Sequence, residues 1–139
     1  MSAWCAEHRF VAPARLDGFR LLFLRRSIRW EAGAADVVED PGAATWGALY
    51  EVSATDLDAL DAKEYATAGG YQRRTVEVET ASGERRSAVT YEVVTKEADE
   101  LAPKPEYVEL LIRGARERGL PQEWIDVLTE LPVRFGFGR

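Results

Sequence analysis

One cysteine and one histidine in 139 residues, Cys5 and His8, remove several chemistries at the outset. A single thiol cannot form an internal disulfide, which agrees with a reducing, cytoplasmic setting. A Ser-His-Asp or Cys-His arrangement would have to hang on His8 alone, and zinc sites built from His and Cys lack ligands. Neither GxxxxGK[ST] nor GxGxxG occurs, so the glycine patterns that cradle phosphates are absent. The run "DLDALDAKE" is superficially calcium-like but lacks the central glycine of such a loop. No metal or cofactor is therefore expected. Long apolar runs are missing too. The longest, "LLFL" at 21–24, falls far short of the roughly 20 residues of a membrane span. The opening residues also lack the basic-then-apolar build of a signal peptide.

Charge of one sign dominates. The formal net charge is −6 with a pI near 4.9, which argues against nucleic acid or an anionic membrane as partner. The distribution is uneven: residues 1–30 hold six arginines against Glu7 and Asp17, net +4, which leaves −10 for the remainder. Arginines alternating with apolar residues read as the solvated face of a strand. No composition shift, linker or repeat divides the chain, so residues 1–139 read as one domain.

The apolar patterning supplies the elements. "ARLDGFRLLFLRR" (14–26) reads as a turn at Asp17-Gly18 leading into a strand, and "AADVVE" as a short strand ended by the turn Asp40-Pro41-Gly42. "TWGALYEV" (45–52) is a third strand by its aromatic and β-branched content. "YQRRTVEVET" and "RRSAVTYEVV" form a hairpin about "ASGE". Ser53 with Asp56 three residues on makes an acidic capping box that opens a helix over about 54–64. Pro105 opens a second helix that Gly119 closes, and Pro121 opens a third with Trp124, Ile125 and Leu128 on one face. This order predicts an α+β fold, a mixed, largely antiparallel β-barrel or sheet with flanking helices. A six-strand closure is one strand short.

The helix at 54–64 carries the candidate chemistry. With Leu57 at 0° and about 100° per residue, Leu60 falls near 300° and Glu64 near 340°, inside the leucine stripe. Asp61 lies at the stripe's edge and Asp58 off it. A carboxylate turned toward a core loses hydration, its pKa rises, and it becomes suited to proton transfer near neutral pH. The alternative is that the helix ends at Lys63 and Glu64 turns to solvent; spacing leaves the two even. The loop "ATAGGYQ" brings Gly70 and Tyr71 as weaker candidates, because paired glycines allow close backbone approach to a ligand. Tyr107 shares a helical face with Leu110, Leu111 and Gly114, the ordinary place of a core tyrosine with its hydroxyl at the rim.

The run "PGAATWGALYEVSATDLDALDAKEYATAGGYQRRTVEV" resembles the γ-glutamylcyclotransferase-like family, which includes the AIG2-like proteins. The markers are the Pro-Gly turn, the Trp-Gly strand, Leu-Asp followed by a Glu three residues after that Asp, and the Gly-x-Tyr-like strand start. "APKPEYVELLIRGARERGLPQEWIDVL" is similar to that family's closing helix pair, and the likeness runs from about Phe10 to Leu128. The resemblance implies a general acid/base at Glu64 and substrate binding at Tyr107. It also implies a small-molecule γ-glutamyl substrate that cyclises to 5-oxoproline as an amine leaves, and a monomer or homodimer. Two departures stand out. Tyr65 follows Glu64 where the family commonly has Gly, which lends slight support to a lyase-like action on a γ-glutamylated metabolite. The family's opening strand with its Tyr-Gly-Ser-Asn loop has no counterpart in these residues. The expectation is that Met1 is a false or internal start, with a strand encoded upstream. A non-catalytic member binding a small amide or a partner is the competing expectation.

Overall fold

The computed structural model describes residues 8–27, 32–66, 71–94, 96–97 and 99–135, leaving aside the side chains of 8, 25–27, 32–35, 61–66 and 133–134. Four strands, β1 (His8–Ser27), β2 (Ala32–Val52), β3 (Tyr71–Thr80) and β4 (Arg85–Val93), form one antiparallel sheet in the order β2-β1-β3-β4. Helix α1 (Ala54–Ala66) joins β2 to β3. Helices α2 (Pro105–Glu117), α3 (Gln122–Thr129) and the single turn α4 (Leu131–Arg134) follow the sheet. The α+β expectation holds.

Two expected turns lie inside strands. Asp17-Gly18 does not begin a strand and Asp40-Pro41-Gly42 does not end one, because β1 and β2 pair on both sides of them. Asp17 stands opposite Ala44 and Phe19 opposite Glu39, so the Asp40–Ala43 excursion is accommodated against Gly18 alone. Positive φ at Gly18 (81°) and Gly42 (91°) makes this bend possible. "AADVVE" and "TWGALYEV" are thus halves of one bent strand, and five expected strands become four.

The helices follow their local signals. Asp56 N–H donates to Ser53 Oγ at 3.1 Å, closing one half of the capping arrangement. Pro105 occupies the first turn of α2, and Gly119, at φ 72°, lets Leu120 N–H donate back to Ala115 O at 2.9 Å. The buried stripe of α2 is Val108 and Ala115, with Leu111 and Ile112 partly buried beside it. Leu110, expected on the inward face with Tyr107, is exposed.

Two cores result. One lies within the curved sheet, from Ala14, Leu16, Phe19, Val76 and Val78. The other lies between helices and sheet, where Phe23 of β1 is fully buried among Val108, Leu120, Trp124, Ile125, Leu128 and Leu131. The sheet curls until β2 and β4 approach each other, yet β2 pairs only with β1 and β4 only with β3 among the described residues. A seam stays open between them, and it positions the candidate site.

Candidate active site

A cavity of about 700 Å³ lies where this seam meets α1. Its walls are Leu49 to Val52 at the end of β2 and Arg86 to Tyr91 on β4, and Leu57 and Leu60 of α1 cover it. Leu60 is buried and Leu57 half-buried, so the leucine stripe of α1 does face inward. A second cavity of about 220 Å³ continues inward, sharing Leu49, Ala88, Val89 and Thr90 and ending among Leu16, Val76 and Val78. Apolar depth under a polar mouth is the usual form of a small-molecule pocket.

The mouth is charged. Glu51 accepts from Arg9 at 2.6 Å and stands 3.7 Å from Arg86, whose Nε in turn donates to Glu84 at 2.7 Å. The hydrogen bond from Arg9 holds the Glu51 carboxyl below its usual range, so it is anionic at neutral pH. Alternation within each strand was readable beforehand; which of its residues meet α1 was not, because that depends on where β2 and β4 come together in space.

Position 64 follows Leu57 and Leu60 on the same period, and its backbone is helical within α1, so the helix does not stop at Lys63. The Glu64 side chain and Gly70 lie outside the described residues. Tyr71 is half-buried at the start of β3, opposite Val93. Tyr107 stands in the helix layer, edge-on to Phe23 with ring centroids 6.3 Å apart, and is not among the residues lining the α1 cavity. The described structure therefore joins α1 to the seam, but does not bring Tyr71 or Tyr107 to that cavity wall. Among the described residues no cluster of His, Cys, Asp and Glu is placed to hold a metal ion, and no helix is long and apolar enough to cross a membrane.

Comparison with known proteins agrees with this architecture. The profile of the AIG2-like family matches residues 44–128, spanning the second half of β2, α1, β3, β4, α2 and most of α3. The γ-glutamylcyclotransferase of Bos taurus is 32% identical over 126 residues, covering 88% of this chain; the chain spans 66% of that protein's length. A solved γ-glutamyl cyclotransferase superposes with a TM-score of 0.81 at 28% identity, covering 88% of this chain and 73% of that one. YkqA from Bacillus subtilis superposes at 0.76 with 29% identity, over 91% of this chain and 45% of its own. The chain belongs to the AIG2-like family.

Proposed function

We propose that this chain is a γ-glutamylcyclotransferase-like enzyme acting on a γ-glutamyl amide or peptide, with Glu64 as its general acid/base. The observation that carries the reading is positional. The glutamate singled out by the family resemblance falls one turn beyond Leu60, on the helix stripe whose leucines cover the seam cavity. In the reaction the glutamyl α-amine attacks its own γ-carbonyl, the five-membered ring closes as 5-oxoproline, and the amine leaves. Because the nucleophile is already part of the substrate, the protein has only to hold it folded for attack. Glu64 takes a proton from the α-ammonium, freeing the amine to attack, and returns one to the departing amine. One carboxylate with restricted access to water can do both. Tyr107, Gly70 and Tyr71 are proposed substrate contacts, the last two on weaker grounds.

The Tyr-Gly-Ser-Asn loop of the resembled family would hold the glutamyl group and steady charge on the carbonyl oxygen. In this reading such a strand enters at the seam between β2 and β4, which is supported by each of these strands having a single strand partner among the described residues. The test is 5-oxoproline release from γ-glutamyl dipeptides, with and without a synthetic strand peptide ending in Tyr-Gly-Ser-Asn. Glu64→Gln is expected to lower turnover by roughly 10²-fold or more, the scale of acid/base catalysis, while circular dichroism stays unchanged. A folded Glu64→Gln variant with undiminished turnover removes Glu64 from the chemistry. No release from the parent chain under either condition transfers the reading to a non-catalytic member that binds a small amide or a partner.

A further inference from the structure

Where β2 faces the helix layer, helices α2 and α3 leave a third space of about 340 Å³. Trp46 of β2 and Leu111, Leu120, Trp124 and Leu128 of the helix layer form its apolar walls. Its volume is at the low end of the ~300–1,000 Å³ typical of ligand pockets, which limits an occupant to a small molecule. The space reaches the backbone of α2: a Cβ built on Gly114 would meet nothing within 4 Å. The two indole-bearing walls favour a flat occupant.

One cation stands at this space. Arg118, just past α2, donates from Nε to the Tyr50 hydroxyl at 2.6 Å, with its guanidinium carbon 5.8 Å from the Phe10 ring centroid and 5.9 Å from that of Tyr50. Arg9, Arg15, Arg74 and Arg86 each donate to carboxylates. The one carboxylate within reach of Arg118 among the described residues is that of its neighbour Glu117, at the 4.0 Å limit of an ion pair. The Tyr50 hydroxyl holds the guanidinium on its Nε side with the Phe10 ring near, and a guanidinium so held can present its terminal nitrogens to a carboxylate in fork geometry.

We infer that the cavity between β2 and the α2–α3 pair is a binding site for a small, flat apolar carboxylate, its acid group paired with Arg118 and its body between Trp46 and Trp124. The site shares Ala48 and Tyr50 of β2 with the lining of the α1 cavity, but the inference does not rest on the cyclotransferase reading. The probe is 3-phenylpropionate, compared with its neutral isostere 3-phenylpropanamide. Both are titrated into the full chain by calorimetry while the indole N–H resonances of Trp46 and Trp124 are followed by NMR. The acid is expected to bind saturably, shift both indoles and exceed the amide by about tenfold or more in affinity. Arg118→Gln abolishes that preference and leaves a weak, equal affinity for both. Gly114→Leu, which fills open space, abolishes binding of either probe. The proposal is overturned if neither indole responds at roughly 10 mM acid, if acid and amide bind the parent equally, or if the folded Gly114→Leu chain binds as before.

Discussion

Asp36 shows how much a single side chain can tie together. It is a carboxylate on β2 with no exposed side-chain surface. Its Oδ1 accepts from the backbone N–H of Val37 at 2.9 Å and of Val93 at 2.8 Å, and its Oδ2 accepts from Lys96 Nζ at 2.7 Å. Lys96 also donates to Val93 O at 2.9 Å. Each donor offsets part of the cost of taking the charge out of water, and together they clamp the end of β4 to β2. Removing the acceptor strands a buried N–H at Val93, while the partly exposed Lys96 can turn back to solvent. Asp36→Ala is therefore expected to destabilise the fold by about 2–4 kcal/mol, read from urea denaturation midpoints at constant m-value. A change below about 0.5 kcal/mol, the scatter of neutral surface substitutions, would mean the clamp contributes nothing net. Nothing in "AADVVED" singles out this aspartate, because the donors that tie it to β4 and Lys96 come from residues 57 and 60 positions away.

Between elements, local signals were legible and pairing was not. Ser53 with Asp56, Pro105 and Gly119 act within one helical turn of where they stand, so the bounds of α1 and α2 follow from the sequence to within two residues. The continuity of β2 through Asp40-Pro41-Gly42 arises from its long pairing with β1, a partner distant along the chain. Likewise, the helical period places Glu64 on the leucine stripe of α1, but only the folded sheet reveals that the stripe covers a seam. Strand pairing also leaves β1 and β3 joined at only two positions, Ala14 with Thr80 and Arg15 with Glu79. Beyond that point Arg74 of β3 lies over Phe19 of β1, its guanidinium carbon 4.8 Å from the ring centroid, and donates to Glu92 of β4 and Glu39 of β2. Partial burial of Glu92 opposes its ionisation, but hydrogen bonds from Arg74 and Gln72 prevail and hold its carboxyl below the usual 4.5. A carboxyl lowered by folding contributes stability above its unfolded pKa and loses it as pH falls through the folded value. Glu92→Gln should flatten the decline in denaturant midpoint between roughly pH 5 and pH 3 and reduce stability at pH 7. Equal slopes for the two chains would show that the Arg74 bridge does not couple folding to proton uptake.

At the scale of the molecule, the two cores meet a sheet that is curled but unclosed. Phe23 anchors the helix layer, touching Tyr107 and Phe135 edge-on, so one face of the sheet is well covered. The weakness is lateral. Within the described residues β2 and β4 are both edges, each with strand partners on one side only. The inner part of the seam is apolar, and Val89 on β4 is 39% exposed there. Such an edge can template pairing with another strand, whether from a second copy or from an added peptide. The same opening thus favours association of the chain with itself. Sedimentation velocity should show a mass that rises with protein concentration, and Val89→Lys, a charge at the seam, should suppress that rise while leaving the helix-layer core intact. A strand peptide that fills the seam should suppress it in the parent chain as well. A single species of monomer mass at every concentration, indifferent to Val89→Lys, would mean that the two edges satisfy each other's neighbourhood well enough to exclude a third strand.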